Sequence, residues 1–154
     1  MFHLKVGDKA PEFDIKDQNG KMHKIGDYQG KKVILYFYPK DMTPGCTTQS
    51  CDLRDNYESL IKEGFEVIGV SADDEAKHQK FIAKHDLPFN LLADTDKAVL
   101  NRYGVWGEKK FMGKTYDGIH RTTFVIDEKG LIENIILKVK TKIHTEQIRE
   151  SLNS

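Results

Sequence analysis

Two cysteines, Cys46 and Cys51, lie five residues apart, where the hydrophobic pattern changes from that of a strand to that of a helix. The run at 33–38 is apolar and rich in aromatic and β-branched residues, which predicts a strand buried on both faces. After Pro44, apolar residues recur at helical spacing up to residue 61. We therefore expect Cys46 in the first turn of a helix that follows a buried strand.

A cysteine at a helix start is placed for redox chemistry. Unpaired N–H groups and the positive end of the helix dipole favour an anion there, and hence a thiolate. Thr43 is predicted as the N-cap and Pro44 as the first helical residue, and Gly45 is expected to let backbone or ligand approach closely. The simpler alternative is that Thr43 only caps the helix and Cys46 is a small buried hydrophobe. Two cysteines around one helix start favour the redox interpretation.

The pattern Pro39-x-x-x-Thr43-x-x-Cys46 resembles the motif around the peroxide-reacting cysteine of peroxiredoxins. The run at 37–48 is similar to one branch of that family, the bacterioferritin comigratory proteins or PrxQ. The run at 113–127, which includes an arginine just before a predicted strand, resembles the same branch. The likeness covers nearly the whole chain.

The resemblance implies a thiol peroxidase without a cofactor, which reduces hydrogen peroxide and organic hydroperoxides in antioxidant defence and redox homeostasis. Cys46 would attack the peroxide and become a sulfenic acid. Cys51 matches the resolving cysteine of that branch and would close an intramolecular disulfide with Cys46. Thioredoxin or a similar dithiol would then reduce the disulfide, and we expect a monomer or weak homodimer.

Cleavage of a peroxide needs more than an ionised thiol. A free thiol is about 3% ionised at neutral pH, so full ionisation raises its reactive fraction only about thirtyfold. Donors aimed at both peroxide oxygens are therefore needed. The resemblance supplies them as the Thr43 hydroxyl, the Arg121 guanidinium and the backbone N–H groups of Gly45 and Cys46. Without it, Arg121 would be interpreted as an ordinary exposed charge.

Two further residues of the motif region have supporting roles in this interpretation. Pro39 is expected to shape the loop and shield the sulfur, without a bond-making role. Gln49, three residues after Cys46, is predicted on the same helical face and could bind Arg121 or, indirectly, the peroxide. A solvated helix position explains Gln49 equally well.

Helix geometry sets a condition on the disulfide. Five residues along an ideal helix separate two Cα atoms by about 8.6 Å, with about 140° of rotation between the side chains. A disulfide tolerates no more than about 7 Å. We therefore expect a continuous helix through Cys46 and Cys51 in the reduced protein. Its first turns must unwind before the bond closes, and the polar run at 47–50 lowers that cost.

Other function classes have less support. A thioredoxin-like thiol-disulfide oxidoreductase without peroxidase activity is the main alternative, although it would normally carry Cys-x-x-Cys. The six histidines include no pair four residues apart, so a zinc site with Cys46 and Cys51 has little support. A non-enzymatic interaction domain also stays open. Pure reduced protein that consumes hydrogen peroxide without a cofactor would exclude it.

Composition limits the partners and the compartment. The 24 basic and 24 acidic residues balance without a basic block, which argues against nucleic acid and anionic membranes as partners. The longest apolar run is far shorter than the roughly 20 residues of a membrane span. Residues 1–8 lack the apolar segment of a secretory signal, so we expect a cytoplasmic protein.

The element pattern predicts a thioredoxin-like α/β fold with a central mixed sheet flanked by helices and an N-terminal β-hairpin extension. One domain is expected over residues 1–154. Residues 104–120 are predicted to be mostly loop. The predicted elements are a hairpin at 13–25, strands at 33–38, 65–71, 90–93, 122–127 and 131–139, and four helices. The helices are predicted at 44–62, from a capping box at 71–74 to residue 84 or 85, at 96–103 and at 144–152.

Overall fold

Nine strands and five helices make up most of the part of the chain that the computed structural model describes, residues 3–153. The domain predicted over residues 1–154 includes residues 1, 2 and 154, which lie outside the described residues. The segment 1–8, predicted to lack a secretory signal, includes residues 1 and 2, which also lie outside them. The strands are β1 (Asp14–Lys16), β2 (Met22–Lys24), β3 (Lys32–Phe37), β4 (Phe65–Ser71), β5 (Asn90–Ala93), β6 (Trp106–Phe111), β7 (Lys114–Ile119), β8 (Thr122–Ile126) and β9 (Ile132–Ile136). The helices are α1 (Pro44–Asp55), α2 (Tyr57–Lys62), α3 (Glu75–His85), α4 (Ala98–Arg102) and α5 (His144–Leu152).

The central sheet has five strands in the order β5-β4-β3-β8-β9. Strands β3, β4 and β5 run parallel, whereas β8 and β9 pair antiparallel with β3 and with each other. A parallel unit followed by an antiparallel hairpin is the predicted thioredoxin-like arrangement, and it is confirmed. The N-terminal hairpin is also confirmed as β1 paired with β2.

Strand β3 lies in the middle of the sheet and separates two hydrophobic clusters. One face of the sheet packs on α4 and the N-terminal segment, and the other face packs on the helices α1, α2, α3 and α5. Cys46 belongs to the second cluster, together with Leu53 of α1 and Leu60 of α2. The first turn of α1 is therefore held against the sheet by burial, as the hydrophobic spacing predicted.

The helix predicted at 44–62 is interrupted at Asn56. The side-chain amide of Asn56 donates to the backbone oxygen of Asp52 at 2.8 Å, which is the acceptor that the Asn56 N–H would use in an unbroken helix. Asparagine competes with the helix backbone in this way, so the chain restarts as α2 at Tyr57. The break lies beyond both cysteines and leaves α1 intact through them.

The prediction that residues 104–120 are mostly loop is wrong. They form the hairpin β6–β7, with Met112 and Gly113 at its turn in the left-handed region at φ 51° and 79°. Two such residues fit a two-residue turn that matches the twist of a hairpin. Most side chains of β6 and β7 are exposed, so the sequence lacks the alternation of apolar residues that indicates a strand.

Two other elements are shorter than predicted. The strand predicted at 131–139 stops at Ile136, and the Gln147 amide then binds the backbone at Lys138 and Lys140. Helix α4 covers only 98–102 of the predicted 96–103. Helix α3 begins later than the capping box predicted at 71–74, because Asp74 is its N-cap and accepts from the Lys77 N–H at 2.9 Å. The other predicted strands and helices agree with the structure to within a residue or two. No helix within residues 3–153 is long and apolar enough to cross a membrane.

Gly69 in β4 is a position where the core has no room for a side chain. A Cβ atom there would lie 2.7 Å from Leu91 Cδ2 and 2.8 Å from Tyr36 Cζ. We expect Gly69→Ala to destabilise the protein by about 1–3 kcal/mol, because a well-packed core must shift to accept a methyl group. Thermal unfolding should show a lower midpoint. Gly26→Ala, where a Cβ would meet nothing within 4 Å, is the matched control, and equal midpoints for the two variants would contradict the prediction.

Candidate active site

The sheet topology brings two distant parts of the sequence together. β3 and β8 are antiparallel, with Phe37 paired to Thr122, so the carboxyl end of β3 lies beside the amino end of β8. The loop that follows β3 leads into α1 and Cys46, and Arg121 directly precedes β8. This pairing places the Arg121 guanidinium at the first turn of α1.

Cys46 is buried in the first turn of α1, next to the ends of β3 and β8, and it contacts Arg121. Its residue surface is 1% exposed, and Arg121 Nη2 lies 3.3 Å from Sγ. A Cβ atom on Gly45 would lie 3.2 Å from Nη2, so the missing side chain leaves room for the guanidinium. The group that approaches Gly45 is thus the Arg121 side chain, whereas the prediction named backbone or ligand. Arg121 Nη2 is thus placed to donate a hydrogen bond to the sulfur.

Gln49 holds the other arm of the guanidinium. Its Oε1 accepts from Arg121 Nη1 at 2.6 Å, and the residue is completely buried. The predicted contact with Arg121 is confirmed, and the alternative of a solvated position is wrong. The contact also fixes the orientation of the amide, because Nε2 cannot face a donor. Nε2 is buried and has no hydrogen-bond partner in the part of the chain that the structure describes.

Thr43 occupies the predicted N-cap position of α1, but it does not make the predicted capping bond. Its hydroxyl donates to the backbone oxygen of Lys40 at 2.8 Å, and its side chain accepts no helix N–H. The loop turns sharply at Met42, which has φ 67°. Pro39 is half-buried at the start of the loop, directly after β3 and Tyr38. The N–H groups at the start of α1 are thus left without a side-chain cap.

Cys51 lies on the same helix as Cys46, one and a half turns further on. Both cysteines are free, and α1 is continuous through them, which confirms the prediction for the reduced protein. Cys51 is half-buried, whereas its neighbour Ser50 is buried and hydrogen-bonds Tyr36 Oη at 2.9 Å. The two thiols therefore point away from each other round the helix, as the spacing implies.

A buried polar network, missed by the sequence analysis, anchors the loop before Cys46. Asp41 in this loop accepts a hydrogen bond from Tyr38 Oη at 2.5 Å and contacts His78 Nδ1 of α3 at 2.6 Å. Its backbone N–H donates to Asp73 at 2.8 Å, and His78 Nε2 lies 3.0 Å from the Leu92 carbonyl. These contacts hold the loop against the sheet from the side opposite Arg121.

Asp41, Asp73 and His78 also form a group close enough to hold a metal ion, with one ligand atom from each within 4.8 Å of the others. Hydrogen bonds inside the network already occupy these atoms. Neither cysteine belongs to the group. The geometry therefore points to a structural anchor for the loop.

A family model described as the AhpC/TSA family matches residues 6–135. This range is well over half of the chain, so the chain belongs to the AhpC/TSA family. Peroxiredoxin Bcp of Escherichia coli is 51% identical over 148 residues, which cover 96% of this chain and 95% of that protein. Peroxiredoxin Bcp of Bacillus subtilis is 46% identical over 149 residues, with 97% and 95% covered.

Solved structures agree with the sequence relatives. A peroxiredoxin Q of Xanthomonas campestris superposes with a TM-score of 0.85 at 33% identity, over 92% of this chain and 89% of that one. A PrxQ variant of Xylella fastidiosa gives a TM-score of 0.92 at 28% identity, over 99% and 98%. The fold is that of the thioredoxin-like peroxiredoxins, and the chain is a peroxiredoxin that reduces peroxide with a thiol.

Proposed function

We propose that Cys46 is the nucleophile of this peroxidase and that Arg121 and Thr43 act on the peroxide. The contact that supports this most directly is Arg121 Nη2 at 3.3 Å from Cys46 Sγ. The guanidinium holds several donors in a fixed plane, so one can face the sulfur while others face a peroxide oxygen. Gln49 keeps that plane in place through its bond to Nη1.

The chemical step needs only these groups. The Cys46 thiolate attacks one oxygen of the peroxide, an S–O bond forms, the O–O bond breaks, and the second oxygen leaves as an alkoxide or hydroxide. The Arg121 guanidinium and the N–H groups of Gly45 and Cys46 stabilise that developing negative charge. Thr43 was predicted as a further donor, but its hydroxyl hydrogen goes to the Lys40 oxygen, so Thr43 positions the peroxide by accepting from its O–H. The leaving oxygen takes a proton from solvent, and Cys46 becomes a sulfenic acid. Pro39 keeps bulk water away from the sulfur.

We propose that Cys51 resolves the sulfenic acid. Its sulfur attacks Cys46 Sγ, a disulfide forms, and the oxygen leaves as water. An ideal helix separates these two Cα atoms by about 8.6 Å, so the first turns of α1 must unwind first. The unwinding should stop at Asp52, because its carboxylate accepts from the Thr145 N–H of α5 at 2.7 Å. The next residue, Leu53, is completely buried.

Hydrogen exchange should detect this opening. We expect backbone amides of residues 44–51 to exchange faster after oxidation, since a helix end opens at a small fraction of the global unfolding cost. Amides of β3 should stay protected in both states. Oxidised Cys51→Ser, which cannot form the disulfide, is the matched control and should keep the exchange pattern of the reduced protein. An intramolecular disulfide with unchanged exchange in 44–51 would contradict the proposal.

A dithiol such as thioredoxin recycles the Cys46–Cys51 disulfide, which fits a reducing compartment, and we propose the cytoplasm. The substrates are hydrogen peroxide and organic hydroperoxides. A related structure from Xanthomonas campestris is described in terms of alkyl peroxide reduction by that protein. We propose one domain over residues 1–154 and a monomer or weak homodimer.

The proposed function is tested by the stoichiometry of peroxide consumption. Pure reduced protein without any cofactor should consume one equivalent of hydrogen peroxide, and should turn over continuously when a thioredoxin system is added. A thiol-disulfide oxidoreductase without peroxidase activity would accept electrons from thioredoxin but leave the peroxide untouched. Consumption that required an added cofactor would contradict the proposal.

A further inference from the structure

Lys109 on the β6–β7 hairpin is a cation that the proposed chemistry does not use. It is half-buried, whereas the next residue, Lys110, is exposed. Its Nζ donates to the backbone oxygen of Ile119 at 2.9 Å. Ile119 ends β7 and lies two residues before Arg121. The ammonium group is therefore at the base of the hairpin, on the side of the candidate active site.

Two glycines of the β6–β7 hairpin leave room for the Lys109 side chain to run towards Ile119. Gly118 pairs with Gly107 in the neighbouring strand, so neither residue of this pair fills the space beside Lys109. A Cβ atom on Gly118 would lie 3.1 Å from Lys109 Cδ. The aliphatic stem thus passes over Gly118 towards Ile119 and away from the hairpin turn.

Lys109 lies within electrostatic range of both Arg121 and Cys46. Burial lowers the pKa of Lys109, the Arg121 charge lowers it further, and a charge on Cys46 opposes both effects. The positive charges of Lys109 and Arg121 repel each other, and a negative charge near both offsets that repulsion. The negative charges of the proposed reaction are the Cys46 thiolate and the oxygen that leaves the peroxide.

We propose that Lys109 is a second cation of the peroxide site, which works with Arg121 to stabilise the Cys46 thiolate and the leaving oxygen. This inference rests on the proposed function, because it assigns Lys109 to the attack of Cys46 on peroxide. The competing explanation is structural: Lys109 only ties the hairpin to the backbone at Ile119. The two differ in whether the charge or the hydrogen bond matters.

Substitutions separate charge from hydrogen bonding. The measurement is the rate constant for the reaction of each reduced protein with hydrogen peroxide in a single turnover. Lys109→Met and Lys109→Gln should react about tenfold more slowly, the size expected for a full charge acting through a partly shielded gap. Lys109→Arg should stay within about threefold of wild type, because it keeps the charge. Lys110→Met, the exposed neighbour, is the matched control and should react at the wild-type rate.

Three outcomes would overturn the proposal. Lys109→Met at the wild-type rate shows that the cation does not act on the reaction. Lys109→Gln at the wild-type rate shows that only a hydrogen bond is needed, and Lys109→Arg as slow as Lys109→Met shows that shape matters instead of charge. Thermal unfolding of each variant identifies any that fail to fold. Wild-type protein that does not react with peroxide overturns the proposed function and this inference together, whereas reactive wild type with an equally reactive Lys109→Met overturns the inference alone.

Discussion

Replacing Cys46 with serine should reduce peroxide turnover to the rate measured without enzyme. A hydroxyl stays protonated at neutral pH and offers almost no nucleophile, even beside a guanidinium. The substitution changes one atom in a buried position, so the fold should be retained. The measurement is steady-state peroxide consumption with a thioredoxin system, together with far-ultraviolet circular dichroism to check the fold.

Cys51→Ser is the matched control for this variant. It keeps the nucleophile, so reduced Cys51→Ser should still consume one equivalent of peroxide at the wild-type rate. Without a resolving thiol it should then stop, with Cys46 held as a sulfenic acid. A Cys46→Ser protein that kept most of its turnover would mean that another group attacks the peroxide.

Arg121→Ala should lower the rate of peroxide attack by about a hundredfold to a thousandfold, the usual cost of removing one donor to a developing oxyanion. The loss should exceed what a smaller thiolate fraction explains, because full ionisation of a thiol is worth only about thirtyfold. Rates should therefore be compared at equal thiolate fraction, with the thiolate followed by its ultraviolet absorbance. Peroxide attack is measured in single turnover.

Arg121→Lys separates charge from geometry at the same position. Lysine keeps the positive charge but loses the planar fork that binds Gln49 and the sulfur together. We expect an intermediate rate, slower than wild type and faster than Arg121→Ala. If the whole loss in Arg121→Ala followed the thiolate fraction, Arg121 would act only on the thiol and not on the peroxide.

The position of the site was predictable because it depends on local signals. The buried strand at 33–38, Pro44 at the helix start and the helical spacing after it place Cys46 in the first turn of α1, where the structure has it. The contact with Arg121 needed the resemblance, since nothing local predicts that residue 121 meets residue 46. In the structure, the pairing of β3 with β8 brings them together.

The features that the sequence analysis missed depend on contacts between distant residues. Asp41 and His78 pair inside the core although 37 positions separate them, and an isolated buried polar residue gives no sequence pattern. The β6–β7 hairpin is exposed on most of its surface, so its strands carry no hydrophobic period. A single polar residue on a helix fits either the core or the solvent-exposed face, so the sequence alone does not decide where Gln49 lies.

Mass spectrometry of the protein treated with one equivalent of hydrogen peroxide shows which cysteine reacts and what it becomes. Wild-type protein should lose two hydrogens and form a disulfide that peptide mapping locates at Cys46 and Cys51. Cys51→Ser should instead gain one oxygen, located at Cys46, which a sulfenic acid reagent traps. Oxidation that falls first on Cys51, or wild-type protein whose mass does not change while peroxide disappears, would mean that Cys46 is not the nucleophile.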